Sequence, residues 1–143
     1  MLEKEYYMKE ALKEAKKAYK KQEIPVGAII VKDGKIIARG YNQKELKKDS
    51  TMHAEIIAIR KASKKIGAWR LNDCEMYITL EPCPMCAAAI LQSRIKSVYF
   101  GAYDMLNGAM GSKIDMREIM GLSVNVKGGI MEDECKQILK KYF

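Results

Sequence analysis

The chain has 143 residues, 48% of them apolar, with four cysteines, one histidine and a formal charge of +8. That length gives a single domain, residues 1–143, able to bury about two-thirds of the surface its unfolded form exposes. It holds no linker, repeat or low-complexity tract. No run approaches the roughly 20 apolar residues of a membrane span, and the acidic start Met1-Leu2-Glu3-Lys4-Glu5 lacks the apolar core of a secretory signal. The expectation is therefore a cytoplasmic protein with no membrane partner, whose cysteines serve as thiols rather than as a disulfide framework.

Residues 2–22 read as an amphipathic helix, because Met8, Ala11, Leu12, Ala15, Ala18 and Tyr19 recur at spacings of three and four. Its outer face carries Lys9, Lys13, Lys16, Lys17, Lys20 and Lys21. Excess positive charge suits a polyanionic partner, and a solvated helix face explains the same run equally well. Pro25 ends the segment. A β-branched run at 26–32, the dipeptide Asp33-Gly34 and a second run at 35–41 predict a tight hairpin. Residues 42–52 are polar and predict a loop. Residues 53–66 return to helical spacing through Ile56, Ile57, Ile59, Ala62 and Ile66. After a connection at 69–73, a strand at 76–80 runs into Pro82 and Pro84, which forbid its continuation. Then come a helix at 83–92, a strand at 98–102, a glycine-rich loop at 108–112, a short helix at 114–120, a strand at 124–127 and a closing helix at 132–142. Strands alternating with helices after the hairpin predict an α/β protein with a mixed five-stranded sheet, covered by helices on both faces as a three-layer αβα sandwich.

Two short segments thirty positions apart carry chemistry. The first is His53-Ala54-Glu55, and the second is Pro82-Cys83-Pro84-Met85-Cys86. His53, Cys83 and Cys86 supply three zinc ligands, which leaves the fourth tetrahedral corner open, as in a catalytic site. Bound zinc brings the pKa of water to about 7. Glu55 is left free to carry protons. Both segments fall at predicted helix starts, where free N–H groups and the helix dipole favour thiolates. Cys83 and Cys86, three apart, share one helix face. A redox pair would also fit a helix start after a strand, but it leaves His53 and Glu55 without a role. A structural zinc needs a fourth ligand, whereas His53 is the sole histidine and Cys74 and Cys135 lack ligand spacing. Those two read as reduced, buried small residues.

The H-x-E and P-C-x-x-C pair resembles the signature of the zinc-dependent nucleobase deaminases. The resemblance extends through Ile24-Pro25-Val26-Gly27-Ala28, Gly40-Tyr41-Asn42, Thr79-Leu80-Glu81, Ser93-Arg94-Ile95, Phe100-Gly101-Ala102, Asp104 and Gly108-Ala109-Met110-Gly111-Ser112. Over nearly its whole length the chain is similar to the bacterial tRNA-specific adenosine deaminases. That resemblance implies the cytidine-deaminase-like fold, one Zn2+ per subunit, a homodimer and a tRNA anticodon stem-loop as partner. It implies hydrolysis of adenosine to inosine at the wobble position, with Glu55 as proton carrier and Asn42 bonded to the target base. Ala54 would line the pocket and donate its backbone N–H, Leu80 and Glu81 would line it through backbone groups, and Val26 and Asp104 would complete it. Asp104 matches the family aspartate near the nucleotide's sugar. The segment Asp104-Met105-Leu106-Asn107-Gly108-Ala109 lacks the basic residue that relatives often carry there. Two alternatives stand beside this expectation. One is a free-base or nucleoside deaminase, of guanine or cytosine type, using the same zinc and Glu55. The other is a zinc-stabilised RNA-binding subunit with no catalytic role.

Overall fold

In the computed structural model, which describes residues 2–143, the first helix α1 spans Leu2–Lys20. Glu3 and Glu5 in its first turn and Lys17 and Lys20 in its last suit the helix dipole. It stops two residues earlier than the spacing predicts, because Gln22 turns into the left-handed region at φ 62. Strands β1 (Gly27–Lys32) and β2 (Lys35–Tyr41) follow as a hairpin. Asp33 and Gly34 both adopt positive φ, 52 and 72, as the predicted two-residue turn requires. Val26 stands just before β1 rather than within it.

A four-residue helix α2 (Lys44–Lys47) occupies part of the predicted loop. The remaining elements are α3 (Ala54–Ile66), β3 (Cys74–Leu80), α4 (Pro84–Gln92), β4 (Ser97–Ala102), α5 (Met116–Met120), β5 (Asn125–Lys127) and α6 (Glu132–Tyr142). Helix α5 starts later than 114 because Asp115 caps it, its carboxylate accepting the Arg117 N–H at 3.0 Å.

The sheet order is β2-β1-β3-β4-β5. β1 runs antiparallel to β2 and β3, whereas β3, β4 and β5 are mutually parallel. Side chains alternate across it with period two. Ala28, Ile30, Met76, Ile78, Val98 and Phe100 face α3 and α4. Ile29, Val31 and Tyr77 face the buried stripes of α1 and α6. The result is the three-layer arrangement that the element order predicts.

Ala54, Ala58 and Ala62, one turn apart, let α3 lie close to the sheet. Gly40 of β2 sits beneath that helix. A Cβ there would stand 2.5 Å from the Ala54 carbonyl oxygen and 2.9 Å from the Ala58 nitrogen. Helix α3 packs on β2 and β1, and its amino end meets the start of α4, which follows β3. No helix among the described residues is long and apolar enough to cross a membrane.

Candidate active site

Two helix starts meet at the carboxyl end of the parallel strands, where open α/β sheets bind ligands. His53 is the residue that caps α3, and Cys83 caps α4, with Pro84 fixing the first helical position. Cys86 lies one turn into α4. His53 Nδ1 stands 3.4 Å from Cys86 Sγ and 3.7 Å from Cys83 Sγ. Tetrahedral zinc with its usual N and S bond lengths sets such ligand pairs about 3.6 Å apart. The three donors therefore fit zinc with little movement, and all three lie within 4.8 Å of one another.

The three donors share protons, and Cys83 is the one held as thiolate. The Cys83 thiol is pulled down to about 4, first by its hydrogen bond with Cys86, then by His53 and the Cys86 backbone amide, against the cost of burial. Cys86 is pushed the other way, first by that same bond to Cys83 and then by burial. His53 is raised chiefly by its bond with Cys83. Glu55, buried on the second residue of α3, has its carboxyl pushed up to about 7 by desolvation, with the Cys83 charge adding. Its Oε1 is buried without a hydrogen-bond partner. Buried polar atoms are nearly always paired, so an orphan beside three metal donors marks a place for a water or a substrate atom.

A cleft of about 330 Å³ opens over this cluster. Val26, Asn42, His53, Glu55, Leu80, Glu81, Cys83 and Asp104, all named from the sequence, line it. Cys86 and Ala54 lie buried behind. The Ala54 N–H donates to Asn42 Oδ1 at 2.8 Å. That bond occupies the backbone donor expected to meet the base and turns the Asn42 NH2 group towards the cleft instead.

Glu81 also does more than its backbone suggested. The residue is only 2% exposed. It accepts the backbone N–H groups of Asp104, Met110 and Ser112, each at 3.1 Å, and the Ser112 hydroxyl. Glu81 thus ties residues 104–112 into a rim. Asp104 caps its own turn, Oδ1 accepting from Leu106 and Asn107 at 3.1 and 3.0 Å. On the opposite rim, buried Glu23 accepts the N–H groups of Glu45 and Leu46 at 3.1 and 2.7 Å and so holds α2 in place. Glu23, Lys44, Asn107 and Tyr142 line the cleft too. Local pattern does not mark them, and the one sequence signal is the aromatic end of the last helix.

A model of the cytidine and deoxycytidylate deaminase zinc-binding region matches residues 1–102. Fold, donor set and this match together define a zinc-binding deaminase domain. Across the whole chain, similarity is narrower in kind. The chain is 45% identical over 145 residues to the tRNA-specific adenosine deaminase of Bacillus subtilis, covering 100% of this chain and 90% of that one. It is 43% identical to that of Aquifex aeolicus, covering 98% and 93%. A structure solved in work on A-to-I editing by tRNA:A34 deaminases at the wobble position of transfer RNA shares a TM-score of 0.87 and 40% identity, covering 93% of this chain and 98% of that one. Guanine deaminase from Bacillus subtilis gives a TM-score of 0.66 and 46% identity, covering 69% and 64%. The chain belongs to the cytidine and deoxycytidylate deaminase family and, within it, to the tRNA-specific adenosine deaminases.

Proposed function

We propose that this chain deaminates adenosine to inosine at the wobble position of a tRNA anticodon, in the cytoplasm, as a homodimer of single-domain subunits. Similarity along the entire chain supports the RNA substrate. The observation that carries the chemistry is the orphaned Glu55 Oε1 beside His53, Cys83 and Cys86. Zinc held by those three residues supplies a Lewis acid that lowers the pKa of water to about 7.

Glu55 does the proton work. It takes a proton from the attacking water and delivers it to the ring nitrogen next to C6. It then takes the second water proton from the oxygen now bonded to C6 and gives it to the amine as the C6–N bond breaks, so water and adenosine become inosine and ammonia. Burial raises the Glu55 carboxyl above its ordinary value, which suits a group that must hold a proton as well as release it. Asn42, held by the Ala54 amide, donates its NH2 group to an acceptor nitrogen of the base. Val26 and Leu80 form apolar walls for the ring. Asp104 stands at the rim for the sugar, and Glu81 fixes that rim. The base must leave its stack to enter, which costs a few kcal/mol and least in an unpaired loop.

Zinc-loaded protein incubated with tRNA bearing an adenosine wobble base is expected to yield inosine, and no ammonia from guanine, cytosine or cytidine. One observation favours the free-base reading, namely the 46% identity to guanine deaminase over 69% of the chain. Ammonia from guanine with no inosine in tRNA establishes it instead.

A further inference from the structure

A second concavity of about 700 Å³ runs between α1 and α6, away from the catalytic cluster. Lys9, Lys13, Lys16 and Lys20 of α1 and Lys141 of α6 line it, against a single acid, Glu134. The four α1 lysines stand at intervals of four, three and four, so they share one helix face. At 1.5 Å per residue the stripe extends about 16 Å.

Neighbouring lysines on α1 are treated differently. Lys17 pairs with Glu14 at 3.0 Å and Lys13 with Glu10 at 2.7 Å. Among the described residues, Lys9, Lys16, Lys20 and Lys141 make no ion pair. The groove therefore holds a row of four uncompensated ammonium groups. A solvated helix face would need no second wall, yet α6 supplies one that carries the fourth of these, Lys141.

Both walls lead to the catalytic cleft. Three residues after Lys20, Glu23 and then Ile24 line that cleft, and so does Tyr142, directly after Lys141. Cleft and groove are thus lined by adjoining segments at the ends of α1 and α6.

We propose that the α1–α6 groove holds the phosphate backbone of the tRNA substrate beyond the anticodon loop. This inference rests on the function proposed above. A strand of RNA places several phosphates along such a length, and lysines meet phosphates without regard to sequence. An anionic membrane is the other polyanion to consider, and the groove suits it poorly. Leu12 and Ile138 within it are each only 8% exposed, and Tyr19 alone among its large apolar side chains is well exposed, at 39%, which is too little apolar surface for insertion.

The test compares K9Q/K16Q/K20Q with K35Q/K64Q/K65Q, which removes equal charge from exposed positions elsewhere. Both variants are first checked for unchanged zinc content and Tm, and K16Q alone serves if the triple is unstable. Binding and deamination of full-length tRNA are measured across a salt series. For the groove variant, KM is expected to rise tenfold or more at about 0.1 M salt with kcat unchanged, and the log–log salt slope to flatten by about two to three, as losing three phosphate contacts requires. The control is expected to change less than twofold. If the wild type makes inosine but both variants shift alike, or neither shifts, the groove inference fails. It also fails if the groove variant loses binding to phosphatidylserine vesicles while tRNA kinetics hold. If the wild type makes no inosine at all, it is the underlying function that fails.

Discussion

Asn42 accepts the backbone N–H of Ala54 through Oδ1 at 2.8 Å, and the same contact decides which way its amide faces. Because an N–H can only be met by the carbonyl oxygen, the NH2 end is left for the cleft. Asn42→Asp and Asn42→Ala should therefore separate two roles. The aspartate keeps the acceptor at the helix start and is expected to hold Tm within a degree or two, while kcat/KM falls tenfold or more. The alanine leaves a buried N–H unpaired, which costs about 1–3 kcal/mol, and is expected to lose both Tm and activity. Equal Tm for the two variants speaks against the contact.

Glu55→Gln removes the proton carrier but keeps the shape. Turnover is expected to fall at least 100-fold, in line with the usual worth of a general acid–base group. Zinc content by elemental analysis stays near one per chain, and Tm holds or rises, because a desolvated carboxyl is replaced by a neutral amide. Normal turnover in this variant removes Glu55 from the mechanism.

Chelation joins the metal to the fold as well as to the reaction. His53 and Cys83 are the residues at which α3 and α4 begin. A ligand that binds only the folded state stabilises it in proportion to the logarithm of its concentration over Kd. Stripping zinc is expected to abolish inosine formation and lower Tm, and zinc to restore both. Cys86→Ser is expected to bind zinc weakly, and added metal should not return its Tm to the wild-type value.

Glu81 holds three backbone donors and a hydroxyl of the rim. Glu81→Ala is expected to make residues 103–112 the first site of limited proteolysis and to raise KM more than it lowers kcat. Ser112→Ala, which leaves the backbone bonds in place, should show a milder form of both effects. A protease pattern unchanged by Glu81→Ala contradicts the anchoring role.

Acid stability has a local source on α1. The Glu10 carboxyl lies below its ordinary value of 4.5, lowered first by its hydrogen bond with Lys13 and then by Arg39. A lowered folded pKa stabilises above the unfolded value and is lost as pH falls through the folded one. Thermal melts should therefore show Tm dropping as pH goes below about 4.5. The drop should be shallower in Glu10→Gln. Identical acid limbs in the two proteins exclude this pair as a contributor.

The sheet was legible because its rules are local. Asp33-Gly34 announces its turn through the φ values only a few residues tolerate. Unbroken apolar runs at 28–31 and 76–78 report strands buried on both faces. The juxtaposition of His53 with Cys83 and Cys86 could also be expected, since both helix starts are written as short motifs. What stayed hidden depends on bonds between a side chain and distant backbone. Glu81 reaches residues 23 to 31 positions ahead, and Glu23 reaches α2 from 22 positions before it. Such bonds impose no periodicity, so α2 read as loop and Glu81 as a lining residue. The use of the Ala54 amide escaped for the same reason. Its partner is twelve residues away and belongs to another element.

Gly40 touches neither the metal donors nor the cleft, yet its missing side chain governs how far α3 stands from β2. A methyl group there would lift the helix, and the imidazole at its tip would swing off the two sulfurs on α4. Affinity for the ion is thus set partly from beneath, by a spacer of zero thickness. Drift at this one strand position would loosen the grip without altering a single donor atom.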